Sequence, residues 1–188
     1  MHKQLDRKYT EYLVARAQTG DRNALNLLAT HYNKRLFAFA MRLTGEREMA
    51  RDAVQDAWAS IVPGLDRLSQ TSLFSAWAYK IVSRRCADLI KKAQRRRRTQ
   101  AAYAAEPKMK VTNGQEPEQS SDRKTILSLI NALPSEQRIT MALFYSEDFS
   151  VAEIAHITSV PAGTVKTRLL HARKKIRAHL IGENHDGF

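Results

Sequence analysis

Apolar residues recur every three or four positions in two separate blocks of this chain, and between the blocks the recurrence stops. The first block, from about Tyr9 to Ala93, predicts four helices. Asp21 is a candidate cap for a helix whose Leu25, Leu28, Tyr32, Leu36, Ala40 and Leu43 fall on one face, with Gly45 ending it. A helix from about Glu46 to Val62 aligns Ala50, Ala53, Val54, Ala57, Trp58 and Ile61 before Pro63 and Gly64 stop it. After the polar loop Leu65 to Thr71, Ser72 is a plausible cap for a helix lining up Phe74, Trp77, Ala78, Ile81, Val82 and Leu89. Only 7 Gly and 5 Pro occur in 188 residues, about half the usual share. With good helix formers throughout, the expected fold class is all-α: two small helical domains, each burying its own apolar face, joined by a flexible linker.

The composition from Gln94 to Ser121 turns Arg-rich, then Ala-rich, then polar with Pro107, Asn113, Gly114 and Pro117. That predicts a first domain over 1–94, a linker over 95–121 and a second domain over 122–188. The second block resumes with Ile126, Leu127, Leu129, Ile130 and Leu133 before Pro134 breaks the pattern. Ser150 and Glu153 have the spacing of a capping box and open a short helix carrying Val151, Ile154, Ala155 and Ile157. A turn at Thr158 to Val160 follows. Pro161 then stands where a long helix begins, with Val165, Leu169, Ala172 and Ile176 along one face. A short capped helix, a tight turn and a long basic helix are the grammar of a helix-turn-helix.

The same pattern suits a plain helical hairpin with a solvated basic face, but the charge is lopsided. Lys166, Arg168, Arg173, Lys174, Lys175 and Arg177 occur with no acidic residue among them. Gly163 and Thr164 allow close approach to a phosphate at the helix start, and Lys166, Thr167 and Arg168 are candidates to reach base edges in a major groove. His171, Arg173 and Lys174 continue that basic surface as candidate DNA contacts. The whole chain carries 31 Lys and Arg against 19 Asp and Glu, a net charge of +12. Such a protein is drawn to polyanions, nucleic acid before membrane.

Other classes fit poorly. The single cysteine, Cys86, excludes an internal disulfide and points to a reducing cytoplasm. No apolar run suggests a signal peptide or a membrane span, so no membrane insertion is expected. The six histidines, at 2, 31, 156, 171, 179 and 185, have no metal-ligand spacing, and there is no Gly-rich phosphate loop. No metal, cofactor or enzymatic activity is expected.

Nearly the whole chain resembles the extracytoplasmic-function group of bacterial sigma factors, two-domain members of the sigma-70 family. In the first block the resemblance is carried by the run Arg42 to Trp58, by Ser72 to Val82 and by Asp88 to Lys92. In the second it is carried by Ala132 to Arg138, Glu153 to Ala155, Pro161 to Leu169 and Ala172 to Ile176. It implies a cytoplasmic transcription-initiation factor, often tied to stress response, whose first domain opens and reads the single-stranded −10 element and whose second reads the −35 duplex. It further implies binding to core RNA polymerase and control by an anti-sigma factor. In that family the stretch matching Glu46 to Val62 docks on a basic coiled coil of the polymerase's largest subunit.

The residues support these roles from their own chemistry. Glu48, Asp52, Gln55 and Asp56 lie opposite the apolar stripe of their helix, an acidic face that nucleic acid would repel; its plain reading is a solvated surface paired with Arg47 and Arg51. Lys80, Ser83, Arg84, Ala87 and Lys91 lie away from the Phe74, Trp77 and Ile81 stripe and, with Arg85, Lys92 and Arg95 to Arg98, suit a phosphate backbone. Arg67, Ser69 and Gln70, in the loop before that helix, are candidates to hold an unstacked base. Trp58, Trp77 and Phe74 are read as core, and Asp88 as a structural partner for an arginine. The chain departs from the family at Arg84, where Asn is common, and at Thr158 and Ser159, where an apolar residue and Gly are usual. Two other readings stay open on sequence alone: a helix-turn-helix regulator with a sensor domain, and a sigma-like mimic that binds an anti-sigma factor without touching DNA.

Overall fold

A computed structural model describes residues 2–103, 129–130 and 132–182, and every regular element among them is helical. The first block forms α1 (His2–Gln18), α2 (Arg22–Thr44), α3 (Arg47–Gly64) and α4 (Phe74–Tyr103). The second forms α5 (Ser135–Met141), a π-helical turn over Ala142–Ser146, α6 (Val151–Thr158) and α7 (Ala162–Gly182). The Asp21 carboxylate caps α2 by accepting from the amides of Asn23 and Ala24. The Ala24 amide, with Arg16 next, holds that carboxyl below its ordinary value. Gly45 closes the same helix at φ 69°, the left-handed conformation that glycine adopts without a Cβ penalty.

Leu28, Leu36, Phe39 and Ala40 of α2, Ala50, Ala53, Ala57 and Ile61 of α3, and Phe74, Ala78, Tyr79 and Val82 of α4 are all fully buried together. The small residues of α3 allow α2 and α4 to pack closely on either side of it. Tyr32 meets the Phe74 ring nearly edge-on at 5.1 Å, and its hydroxyl lies 2.5 Å from that of Ser75. Trp58 and Trp77 pack on this core, as expected. Cys86 is buried within it, and burial pushes its thiol up to about 12, so it stays protonated and inert.

Four expectations need correction. Ser72 does not cap α4; it lies inside a 3-10 turn, Thr71–Leu73, that runs straight into the helix. The helix does not stop near Gln94 either, because Gln94 to Gln100 contains no breaker and needs no apolar face to continue into solvent, so Arg95 to Arg98 are helical. The rest of the expected linker, and the segment containing Ile126 and Leu127, lie outside the described residues. Asp88 is exposed and makes no ion pair among the described residues, since its position faces away from the core. Finally, the blocks do not bury their faces independently. Phe149 of the second block is 4% exposed, its ring edge-on to Tyr79 of α4 at 5.0 Å.

Candidate nucleic-acid interface

The helix-turn-helix is built as its sequence dictates. The Ser150 amide donates to the Glu153 carboxylate at 2.7 Å and the Glu153 amide to the Ser150 hydroxyl at 3.2 Å, which fixes the start of α6. Ser159 ends α6 in a left-handed conformation, φ 56° and ψ 39°, at the position usually given to glycine. A side chain there costs about 1 kcal/mol. Ser159→Gly is therefore expected to raise the stability of this domain by that amount in a denaturant melt, without moving α7; no gain would mean that the serine is unstrained.

Val165, Leu169 and Ala172 bury one side of α7. Gly163, Lys166, Thr167, His171 and Lys174 are exposed on the other sides, with Thr164 partly buried beside them. A Cβ on Gly163 would meet nothing within 4 Å, so this glycine leaves open space at the helix start. Two expected DNA contacts are already engaged. The Arg168 guanidinium pairs with Glu136 of α5 at 2.5 Å. Arg173 donates to the Tyr145 hydroxyl at 2.8 Å and lies over the rings of Phe144 and Tyr145. Both sit at the edges of the exposed face, where neighbours within the domain reach them.

Sequence reading missed Leu170. It is 62% exposed and follows Lys166 by four residues, at the centre of the basic face. Leu169 beside it carries the core periodicity, which is why the pair reads as core. An exposed apolar group among cations suits the methyl of thymine.

Arg84 and Lys91 are exposed along α4, and Arg95 and Arg98 extend the same stripe. From Lys80 to Arg98 the stripe is about 27 Å long at 1.5 Å per residue. None of Arg84, Lys91, Arg95 and Arg98 has an ion-pair partner among the described residues. Lys80 is half-buried instead, its Nζ 3.4 Å from both ring nitrogens of His156 on α6. Arg85 turns inward and donates to the Ser60 hydroxyl at 2.7 Å.

The loop before α4 is pinned by a residue that sequence reading passed over. The Gln18 amide at the end of α1 donates to the carbonyls of Leu65 and Leu68, both at 2.9 Å. Leu65 is buried, while Arg67, Ser69 and Gln70 remain exposed at the tip. A Cβ on Gly64 would stand 3.0 Å from the Trp77 ring, so this glycine allows the loop to leave α3 directly over the tryptophan. Around the bundle, Glu48, Asp52, Gln55 and Asp56 are all exposed on one face of α3. Arg51 satisfies Glu48 at 2.7 Å, whereas Asp52 and Asp56 carry charge with no partner among the described residues.

An all-helical chain that combines a helix-turn-helix, a long basic helix packed on it and a separate acidic helix face is a nucleic-acid-binding protein that also meets a protein. The Sigma-70 region 2 family model matches residues 28–96, and the Sigma-70, region 4 model matches residues 123–176. The chain belongs to the sigma-70 family of RNA polymerase sigma factors, as an extracytoplasmic-function member, and acts in promoter recognition. It is 27% identical to the ECF RNA polymerase sigma factor SigW of Bacillus subtilis (strain 168), over 89% of this chain and 94% of SigW. It is 29% identical to the ECF RNA polymerase sigma-E factor of Escherichia coli (strain K12), over 88% of this chain and 91% of that protein. Its fold is similar to that of the sigma factor RpoE solved with the anti-sigma factor NepR from Bartonella quintana, with a TM-score of 0.63 and 23% identity over 83% of this chain and 96% of the other. CnrH, solved with the cytosolic domain of CnrY, gives 0.61 and 21% identity over 93% and 98%. No described helix is long and apolar enough to cross a membrane.

Proposed function

We propose that each surface of this sigma factor has its own task. The acidic face of α3 engages core polymerase, the loop and basic stripe of α4 take the −10 strand and the phosphates upstream of it, and α7 enters the major groove of the −35 duplex. The observation that carries this reading is the segregation of charge: in a chain of +12, Asp52 and Asp56 on one helix, and cations such as Arg84, Lys91 and Lys166 on two others, have no ion-pair partner among the described residues. The protein acts as a regulator in the cytoplasm rather than as an enzyme. By analogy with the RpoE structure, an anti-sigma protein controls it, in the manner of a stress-response switch.

Promoter binding with and without core enzyme tests the division of labour. Each domain offers few base contacts, so tight, specific binding is expected only when core holds both domains at once. Equal tight binding without core would contradict it.

Within the −35 surface, Lys166→Ala is expected to weaken binding. Losing a base contact costs about 1 to 3 kcal/mol and relaxes preference at one position, whereas losing a phosphate contact lowers affinity evenly across sequences. Arg168 is tied to Glu136, so its guanidinium reaches DNA only by exchanging that partner. Leu170→Ala is expected to abolish discrimination between thymine and uracil at one −35 position. An unchanged response to uracil would remove Leu170 from the base-reading set.

At Arg84 a guanidinium only donates hydrogen bonds, and the neighbouring Lys91 and Arg95 make a backbone track. Arg84→Asn is expected to weaken open-complex formation on all promoters and to lower the salt slope by about one unit. A changed −10 preference at constant slope would assign Arg84 to base reading.

A further inference from the structure

Two arginines of α7 are held by neighbours of opposite character, and the difference decides what each has left to give. Arg168 donates through Nη2 to the Glu136 carboxylate, so a charge meets its charge, and its side chain is only 19% exposed. Arg173 is held without any anion. Its Nε donates to the Tyr145 hydroxyl at 2.8 Å, and its guanidinium carbon stands 5.6 Å from the centres of both the Phe144 and Tyr145 rings. A neutral oxygen and two ring faces fix the guanidinium in place but leave its positive charge uncancelled. The bond to Tyr145 uses one of five N–H donors. The two terminal nitrogens make no hydrogen bond or ion pair among the described residues.

The rings reach α7 through the π-helical turn over Ala142–Ser146. The Glu147 amide closes that turn on the Ala142 carbonyl at 3.2 Å, a five-residue step that recurs at functional sites. Leu143 anchors it in the core, while Phe144 and Tyr145 meet edge-on at 5.0 Å beside Arg173. Tyr145 is 52% exposed, so its ring serves Arg173 more than it serves the core.

Arg173 follows Lys166 by seven residues, two helical turns, so both lie on one flank of α7. Gly163, Leu170 and Lys174 fall further round, at the middle of the exposed face. A helix about 10 to 12 Å across fills a major groove about 12 Å wide, so its middle faces base edges and its flanks face the sugar-phosphate walls. On that flank a guanidinium fork matches two phosphate oxygens. No acidic residue occurs from Ala162 to Arg177 to compete for it. A free arginine loses its rotamer freedom when it binds, whereas one already held has lost it on folding.

We propose that Tyr145 is a positioning residue for promoter binding: its hydroxyl, with the Phe144 ring, holds Arg173 ready to clamp a backbone phosphate at the edge of the −35 duplex. The proposal rests on the placement of α7 in the −35 groove.

Binding of the chain, loaded on core polymerase, to a duplex promoter that it transcribes tests the clamp when titrated across a series of salt concentrations. Tyr145→Phe keeps the ring and loses only the hydroxyl. It is expected to weaken binding by about fivefold, the effect of one hydrogen bond, and equally on promoters that differ at −35. Arg173→Ala is expected to weaken it by about 20-fold and to lower the salt slope by about one unit, whereas Arg173→Lys, which keeps the charge, keeps the slope. In the Arg173→Ala background Tyr145→Phe has no further effect, because nothing is left to aim. Circular dichroism melts report whether each variant is folded. Should Arg173→Ala fail to fold, Arg173→Gln, which keeps the packing stem without the charge, takes its place. Unchanged affinity in Tyr145→Phe, additive losses in the double variant, or a loss confined to one −35 sequence overturns the proposal. Lys166→Ala on the same duplex separates it from the reading beneath it. If Lys166→Ala weakens binding and Tyr145→Phe does not, the clamp alone falls; if neither does, the placement of α7 in the groove falls and takes the clamp with it.

Discussion

Reversing both charges in Asp52→Lys with Asp56→Lys abolishes binding to core polymerase, while the chain keeps its helicity and its melting temperature within a few degrees. Both carboxylates are exposed on α3, opposite the buried Ala53, Ala57 and Ile61, so nothing in the core senses the change. On the partner side the effect is large. A like-charge juxtaposition costs several kcal/mol in an interface, and even 3 kcal/mol weakens assembly by more than about 100-fold. Asp52→Asn with Asp56→Asn removes the attraction without adding repulsion and gives an intermediate loss that shrinks at high salt. Co-sedimentation with core enzyme measures both. Normal assembly of the double lysine variant would leave the acidic face as mere solvated surface.

Phe74→Ala is the substitution expected to do most damage to the fold. The ring is fully buried, edge-on to Tyr32 and 6.1 Å from Trp77, at the point where the 3-10 turn becomes α4. Removing a buried phenylalanine costs about 3 to 5 kcal/mol through lost transfer energy and the cavity left behind. A small domain has about 5 to 15 kcal/mol in total, so the variant sits near the edge of unfolding at 37 °C. A urea melt decides it. A loss below about 1 kcal/mol would mean that the site collapses around the gap or that the ring carries little of the core.

The helices and the caps of α2 and α6 were legible in the sequence because each rests on local chemistry. The Asp21 cap, the Gly45 terminator and the Ser150 and Glu153 box all act within four residues. The end of α4 was not legible, since a solvated helix needs no apolar period to continue and the arginine run reads equally well as linker or as helix. Gln18 escaped notice because its partners, Leu65 and Leu68, lie far along the chain. So did the pairing of Arg168 with Glu136, which removes from the free −35 surface a residue that periodicity alone had placed there. Leu170 was hidden by its neighbour, as two adjacent leucines lie about 100° apart on a helix and only the fold shows whether one or both face the core. The contact between domains had no local signal at all: Phe149 looks like any loop aromatic until Tyr79 is placed beneath it.

The central claim is that this chain selects promoters for core polymerase by reading −35 duplex with α7 and −10 strand with α4 and its preceding loop. In vitro transcription with purified core enzyme on a library randomised at both elements tests it most directly. The account predicts initiation dependent on this protein from a subset of templates that share both elements, with Lys166→Ala changing dependence on the −35 element and Arg84→Asn lowering output across the whole subset. No transcript above that of core enzyme alone, or initiation indifferent to both elements, would contradict it.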